Sequence, residues 1–190
     1  MRNLSLGLLA LLAGCAMGPM PPFAVLPADA VGGGADPMRA AILTSAYVFN
    51  APGVSLPPAR ARAAALVEYM AADYRWNPRW SQYTPIVGGQ LDASRAELRR
   101  ALAIAPDAPP QQVVTGLYGA SRAMAAGDAP GARAALLPAV FVAPDVTLRQ
   151  LAAPASLPLT RSATSLAERE LHRIDTESHY GGGGDSGAHP

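Results

Sequence analysis

Apolar residues recur at three- and four-residue intervals along most of this chain, in runs separated by proline and glycine. Asp36-Pro37 opens the first run, since Asp suits an N-cap and Pro the first helical position. Met38, Ile42, Leu43 and Ala46 follow at helical spacing, and the pattern ends at Asn50-Ala51-Pro52-Gly53. A second helix is predicted from Pro57-Pro58 to about Trp76. Ala65, Leu66, Tyr69, Met70 and Tyr74 form its apolar face, with Arg60, Arg62 and Glu68 elsewhere. Asn77-Pro78 stops it, because the residue before a proline disfavours helical torsions. Val87-Gly88-Gly89 reads as a turn, and Ser94-Arg95-Ala96-Glu97 as a capping box for a third helix. Leu98, Ala101, Leu102 and Ala105 share one face there. Arg95, Arg99 and Arg100 form a basic cluster on another, expected to be solvated, with Glu97 as a local partner.

After Pro106 to Pro110, the segment from Gln111 to about Ala126 carries Val113, Leu117, Ala120 and Met124 on one face. Gly116 and Gly119 weaken that helix but let a neighbour approach closely. Gly127-Asp128-Ala129-Pro130 is a tight connection in which Gly ends one helix and Asp caps the next. Its partner holds Ala134, Leu137 and Phe141, interrupted by Pro138. A short helix is predicted from Pro144 to Leu151, and a loop from Ala152 to Pro158. The last helix starts at the capping-box spacing Ser165-Leu166-Ala167-Glu168, or earlier at Thr160. Leu166, Leu171 and Ile174 give it a thin apolar stripe, which predicts a surface helix fraying by Ser178. The fold expected over residues 36–178 is therefore all-α: five or six helices in an antiparallel bundle or irregular helical domain. The end from residue 179 to 190 is glycine-rich and is expected to be disordered.

Composition agrees with helices, since forty residues are Ala, the best helix former, and all fifteen basic residues are Arg. Fifteen Arg face fourteen acids; without Arg2 the balance is zero. No basic surplus is left to neutralise phosphates along a nucleic acid, so nucleic-acid binding is not expected as a main role.

Tyr69 to Tyr83 is the most aromatic stretch, with Tyr69, Tyr74, Trp76, Trp80 and Tyr83 interleaved with Arg75 and Arg79. Arg beside Trp and Tyr suits stacking on a sugar, a lipid headgroup or a partner surface, which makes these seven residues a candidate binding surface. The structural reading is a corner between helices whose rings plug the end of a bundle.

Catalytic patterns are sparse. Gly184-Asp185-Ser186-Gly187 echoes a serine-protease nucleophile motif, but it sits in the glycine tail, away from any framework that would position a base. His172, Asp175 and His179 have ligand-like spacing of three and four on one helical face, with Glu177 nearby, and are weak metal candidates. The remaining acids are scattered, and Gly32-Gly33-Gly34 lacks the preceding strand and following Lys of a phosphate loop. The chain is therefore expected to be non-catalytic and to use no cofactor.

The start of the chain carries an address. Arg2 is followed by an apolar run, Leu4 to Ala13, broken only by Ser5 and Gly7. The run is too short to span a bilayer, which takes roughly 20 apolar residues, but suits a removable secretory signal. It ends in Leu12-Ala13-Gly14-Cys15, and Cys15 is the single cysteine. That tetrapeptide resembles the lipobox of the bacterial lipoprotein class. The resemblance implies cleavage after residue 14, diacylglycerol on the Cys15 sulfur and acylation of the new amino terminus. Residues 15–35, rich in Pro and ending in Gly32-Gly33-Gly34, read as a flexible tether, reaching roughly 60 Å if fully extended. Packing of Phe23, Val25 and Leu26 back onto the domain is the other reading. Ala16, where many inner-membrane lipoproteins carry Asp, points by the same resemblance to the outer membrane, facing the periplasm. The expected function is a lipid-anchored envelope protein that binds a protein partner or scaffolds an assembly. The alternative is a periplasmic binder of a lipid or sugar in an aromatic-lined pocket between helices.

Overall fold

Asp36 caps the first helix as its spacing predicts, its Oδ1 accepting from the Met38 amide at 3.1 Å with Pro37 at the first helical position. The computed structural model describes residues 23–30, 36–51 and 53–181. In it α1 (Pro37–Asn50) and α2 (Pro57–Asp73) form a hairpin, followed by a 3₁₀ turn (Pro78–Gln82), α3 (Ile86–Ala101) and α4 (Pro110–Ala125). Then come α5 (Ala129–Ala135), α6 (Pro144–Ala152) and α7 (Pro158–Gly181). The all-α class is as expected; the seven helices among the described residues exceed the predicted five or six because both short segments after Asp128 form separate helices. Among the described residues no strand forms, and one isolated bridge joins Ile104 to Phe141.

α2 is the axis of the bundle, packing on α1, α3, α4 and α6. Its residues Ala63 to Ala72 are buried without a break. A helix covered on every side needs small residues to let its neighbours close in, and the alanines of α2 supply them. Gly116 does the same on α4: a Cβ there would lie 2.5 Å from the Phe141 ring and 3.2 Å from the Ala135 carbonyl oxygen. Gly127, at φ +73°, ends α4, and Asp128 caps α5 through the Gly131 amide at 2.8 Å.

Four local expectations are corrected. α2 stops at Asp73, short of Trp76, and Tyr74 is its C-cap. Val87-Gly88-Gly89 is not a turn but the first turn of α3, with Gly88 set against the Tyr74 ring, where a Cβ would come within 2.0 Å. Ser94 is accordingly mid-helix and fully buried instead of capping. Glu97 caps a different helix: its carboxylate accepts from the Leu159 and Thr160 amides, at 3.2 and 2.7 Å, and from the Thr160 hydroxyl. α7 starts at Pro158, close to the earlier of its two predicted starts, Thr160, and Ser165 donates to Asn50 Oδ1 at 2.8 Å.

α7 is also not a surface helix. It packs on α1 and α3 through Thr160, Ala163, Thr164, Ala167 and Leu171, a stripe of mostly small residues that a search for large apolar ones overlooks. It continues through Ser178 to Gly181; residues 182–190, with the Gly184–Gly187 motif, lie outside the described residues.

Residues 23–30 correct the free-tether expectation over 15–35. They lie along α2 and α4 as a strap, with Ala24 and Ala30 buried and Leu26 packed against the core, while Phe23 and Val25 stay exposed. Gln111 holds the strap by accepting from the Val25 amide at 2.7 Å and donating to the Val25 carbonyl at 3.2 Å. Arg122 pairs with Asp29, and Arg62 donates to the Ala30 carbonyl. The predicted signal at 1–14, Cys15, and tether residues 16–22 and 31–35 lie outside the described residues.

Candidate functional site

The aromatic stretch divides into core and surface. Asp73, at the end of α2, accepts from Trp80 Nε1 at 3.0 Å and from Asn77 Nδ2 at 3.3 Å, and Asn77 in turn caps the 3₁₀ turn through the Arg79 amide. This fixes Trp80 between Tyr74 and Tyr83, with ring centroids 5.2 and 4.9 Å apart in tilted arrangements. Tyr69, Trp80 and Tyr83 are buried. Burial pushes the Tyr69 and Tyr83 hydroxyls up to about 12, because phenolate loses its water there. Three of the seven candidates are therefore bundle plug, not surface. Tyr74 is half-buried, Arg75 pairs with Asp92 at 2.6 Å, and Arg79 pairs with Asp36 at 3.0 Å. Trp76, 56% exposed, is the ring that faces outward.

The solvated basic cluster expected at Arg95, Arg99 and Arg100 is corrected too. Arg99 is buried and grips Glu68 of α2 with Nε at 3.1 Å and Nη2 at 2.5 Å. Its remaining hydrogens go to the carbonyls of Ala105, Pro106 and Ala108, so every donor of this guanidinium is matched to an acceptor. Arg95 places Nε 2.8 Å from Glu68 Oε1, at an angle too poor for a hydrogen bond. Glu68, 3% exposed, thus carries one negative charge against two arginines. The sequence signal for this centre was a lone carboxylate inside the apolar run Ala63 to Ala72, with arginines four residues apart elsewhere.

Above this pair lies an open groove of about 710 Å³ between the end of α3 and the loop after it. Arg75, Arg95 and Arg100 line it together with Asp92, Ile104 and Val142. Where α1 ends and α2 begins is a smaller cavity of about 180 Å³, walled by Val48, Phe49, Leu98, Leu102 and Leu151, with Arg60 and Arg161 among its lining. Around that end Tyr47, Val54 and Leu56 are 70%, 74% and 70% exposed.

Of the metal candidates, Asp175 is engaged by Arg39 in a two-point ion pair, 2.7 Å at each oxygen, which joins α7 to α1 and holds the carboxyl below its ordinary range. His172 and His179 stay on the same helix. Among the described residues no three or more His, Cys, Asp or Glu converge as a metal-binding group, and no helix is long and apolar enough to cross a membrane. Comparisons with models of protein families, with curated proteins and with solved structures found no match.

Proposed function

We propose that the chain is a lipid-anchored cell-envelope protein, non-catalytic, that binds a protein partner through the end of the α1–α2 hairpin. The anchor rests on Leu12-Ala13-Gly14-Cys15 and the short apolar run before it. The observation that carries partner binding is the exposure of Tyr47, Val54 and Leu56 together where α1 ends and α2 begins. Three large apolar side chains left in water at one end of a domain are what a docking face looks like before its partner covers them. The strap supports a docking face at this end: Phe23, eight residues after Cys15 in the sequence, shares a surface hollow with Pro37, Tyr69 and Asp73, at the start of α1 and the end of α2. The ligand-binding alternative has weaker support. An aromatic-lined pocket between helices is not what these rings form: Tyr74, Trp76 and Trp80 line a hollow of about 310 Å³ open to the surface, and the cavity of about 180 Å³ has Phe49 as the one aromatic in its lining.

Two experiments separate the parts of the proposal. Cys15→Ala should abolish fatty-acid labelling and release the protein from the membrane fraction; unchanged fractionation sinks the anchor. A photo-crosslinking residue at position 47, 54 or 56 should trap one discrete adduct in cells, and the same residue at Arg149 should not. Adducts at position 149 with none at the other three would overturn the docking face.

A further inference from the structure

We infer that the groove over Glu68 is a binding site for a phosphate ester carrying an apolar body, gripped by Arg75, Arg95 and Arg100. The first argument is charge. The floor holds two arginines on one buried carboxylate, the rim pair Arg75–Asp92 is neutral, and Arg100 has no ion-pair partner among the described residues. The groove therefore carries a surplus of two positive charges in a chain whose overall net charge is +1. The second argument is unused donors. Arg99 is spent on Glu68 and three carbonyls, whereas Arg95, 23% exposed at its side chain, engages Glu68 only through a misaligned Nε, and Arg100 is exposed. Guanidinium forks offering pairs of N–H donors match the oxygens of phosphate.

The negative end of the α3 dipole would oppose an anion, and here it is covered. The Leu98 and Arg99 carbonyls accept from the Leu102 and Ile104 amides, and Leu102 O accepts from the Thr147 hydroxyl at 2.5 Å. Ala103, which lines the groove, sits at φ 51°, a left-handed torsion that costs an alanine about 1 kcal/mol or more. That turn brings Ile104 and Pro106 to the groove wall, and the Val142 amide ties to the Ala103 carbonyl at 2.9 Å. Val142, 66% exposed, completes an apolar wall beside the arginines. At about 710 Å³ the space far exceeds a bare phosphate, and its mixed lining suits an ester with a hydrocarbon or sugar body. The inference does not depend on the docking face or on the lipid anchor.

The test titrates inorganic phosphate and hexyl phosphate into the full Cys15→Ser chain in neutral detergent. Ionic strength is held constant with chloride, and tryptophan fluorescence, to which Trp76 next to Arg75 contributes, is followed in a chain carrying Trp80→Phe. Hexyl phosphate should bind about tenfold or more tightly than inorganic phosphate. Arg100→Gln and Arg75→Gln should each weaken it about tenfold, as loss of one charge-assisted contact predicts. Both residues are surface-exposed, so thermal midpoints should hold, and Arg161→Gln, outside the groove lining, should change nothing. Vesicles of phosphatidylcholine with and without phosphatidylglycerol then identify the source. Phosphatidylglycerol-dependent co-sedimentation lost in Arg100→Gln but kept in Arg161→Gln assigns a lipid headgroup, and hexyl phosphate binding without it assigns a soluble ester. No preference for hexyl phosphate over chloride, or a preference untouched in the Arg75→Gln/Arg100→Gln variant, overturns the site.

Discussion

Glu68 shows how much one residue decides here. A buried carboxylate is tolerated because Arg95 and Arg99 neutralise it and three carbonyls complete Arg99. Removing only the acid strands two cations, one of them fully buried. Glu68→Ala should therefore lower stability by about 3–5 kcal/mol, read as a drop in urea midpoint. A loss under about 1 kcal/mol would mean that water reaches the arginines. Ala103 gives the opposite sign. Ile104 N donates to Arg99 O at 2.8 Å and Ala103 N to Arg100 O at 3.4 Å, the bond pattern of a helix end that ordinarily places glycine where Ala103 stands. Ala103→Gly removes the left-handed penalty, partly offset by the greater freedom of glycine when unfolded, and should stabilise by about 0.5–1 kcal/mol in the same assay.

At the scale of elements, the close approaches rank themselves. Gly116→Ala drives a methyl into the buried Phe141 ring and the Ala135 carbonyl, neither free to retreat. The overpacking cost of about 1–3 kcal/mol should exceed the ~1 kcal/mol gained in helix propensity, giving a net loss. Gly88→Ala meets only the half-buried Tyr74 ring, which can swing outward, so its urea midpoint should fall less than that of Gly116→Ala. Equal losses would show that Tyr74 is as fixed as Phe141. The caps at Asp36 and Asp128 and the stop at Gly127 were legible from the chain alone because each works within its own turn. What stayed hidden needs partners far along the chain. Glu97 caps a helix 62 residues away, Glu68 meets Arg99 across 31 residues, and Gln111 holds Val25 across 86. A local capping-box spacing at Ser94 is indistinguishable in sequence from a buried mid-helix serine. Among the seven aromatic-corner candidates, period alone could not say which rings point inward. The strap yields its own prediction: Gln111→Ala should speed hydrogen exchange at the Val25 amide while moving global stability by less than about 1 kcal/mol, because the bond is exposed. Unchanged exchange at Val25 would mean that Asp29 and Ala30 hold the strap without it.

For the whole molecule, ion pairs and buried phenols set the two edges of the pH range. Asp29, Asp145, Asp175 and Glu170 are each held below their ordinary values, first by a hydrogen bond from Arg122, Arg133, Arg39 and Arg173 respectively. A lowered folded pKa means the unfolded chain takes up the proton first. Their contribution is present above the unfolded values near 4 and is lost as pH falls through the lowered ones. These pairs are mostly exposed, so the acid edge should be shallow and should weaken further in salt. The alkaline edge is steeper. Tyr69 and Tyr83 titrate near 12 in the fold against 10.0 when free, so the folded chain holds its protons longer. Stability from the neutral phenols is complete below pH 10 and is lost as pH climbs from 10 to 12. At about 1.4 kcal/mol per unit, each tyrosine accounts for up to about 3 kcal/mol of that loss. Both plug the same corner of the bundle, so ionising either forces charge against Trp80 and the end of α2. The double variant Tyr69→Phe/Tyr83→Phe keeps the rings and deletes the titration. Followed by circular dichroism in urea at pH 8, 10 and 12, the native chain should lose stability steeply over the last interval and the variant should lose much less. Parallel losses in the two proteins would place the alkaline weakness elsewhere, with Tyr118, also pushed up by burial, the next residue to change.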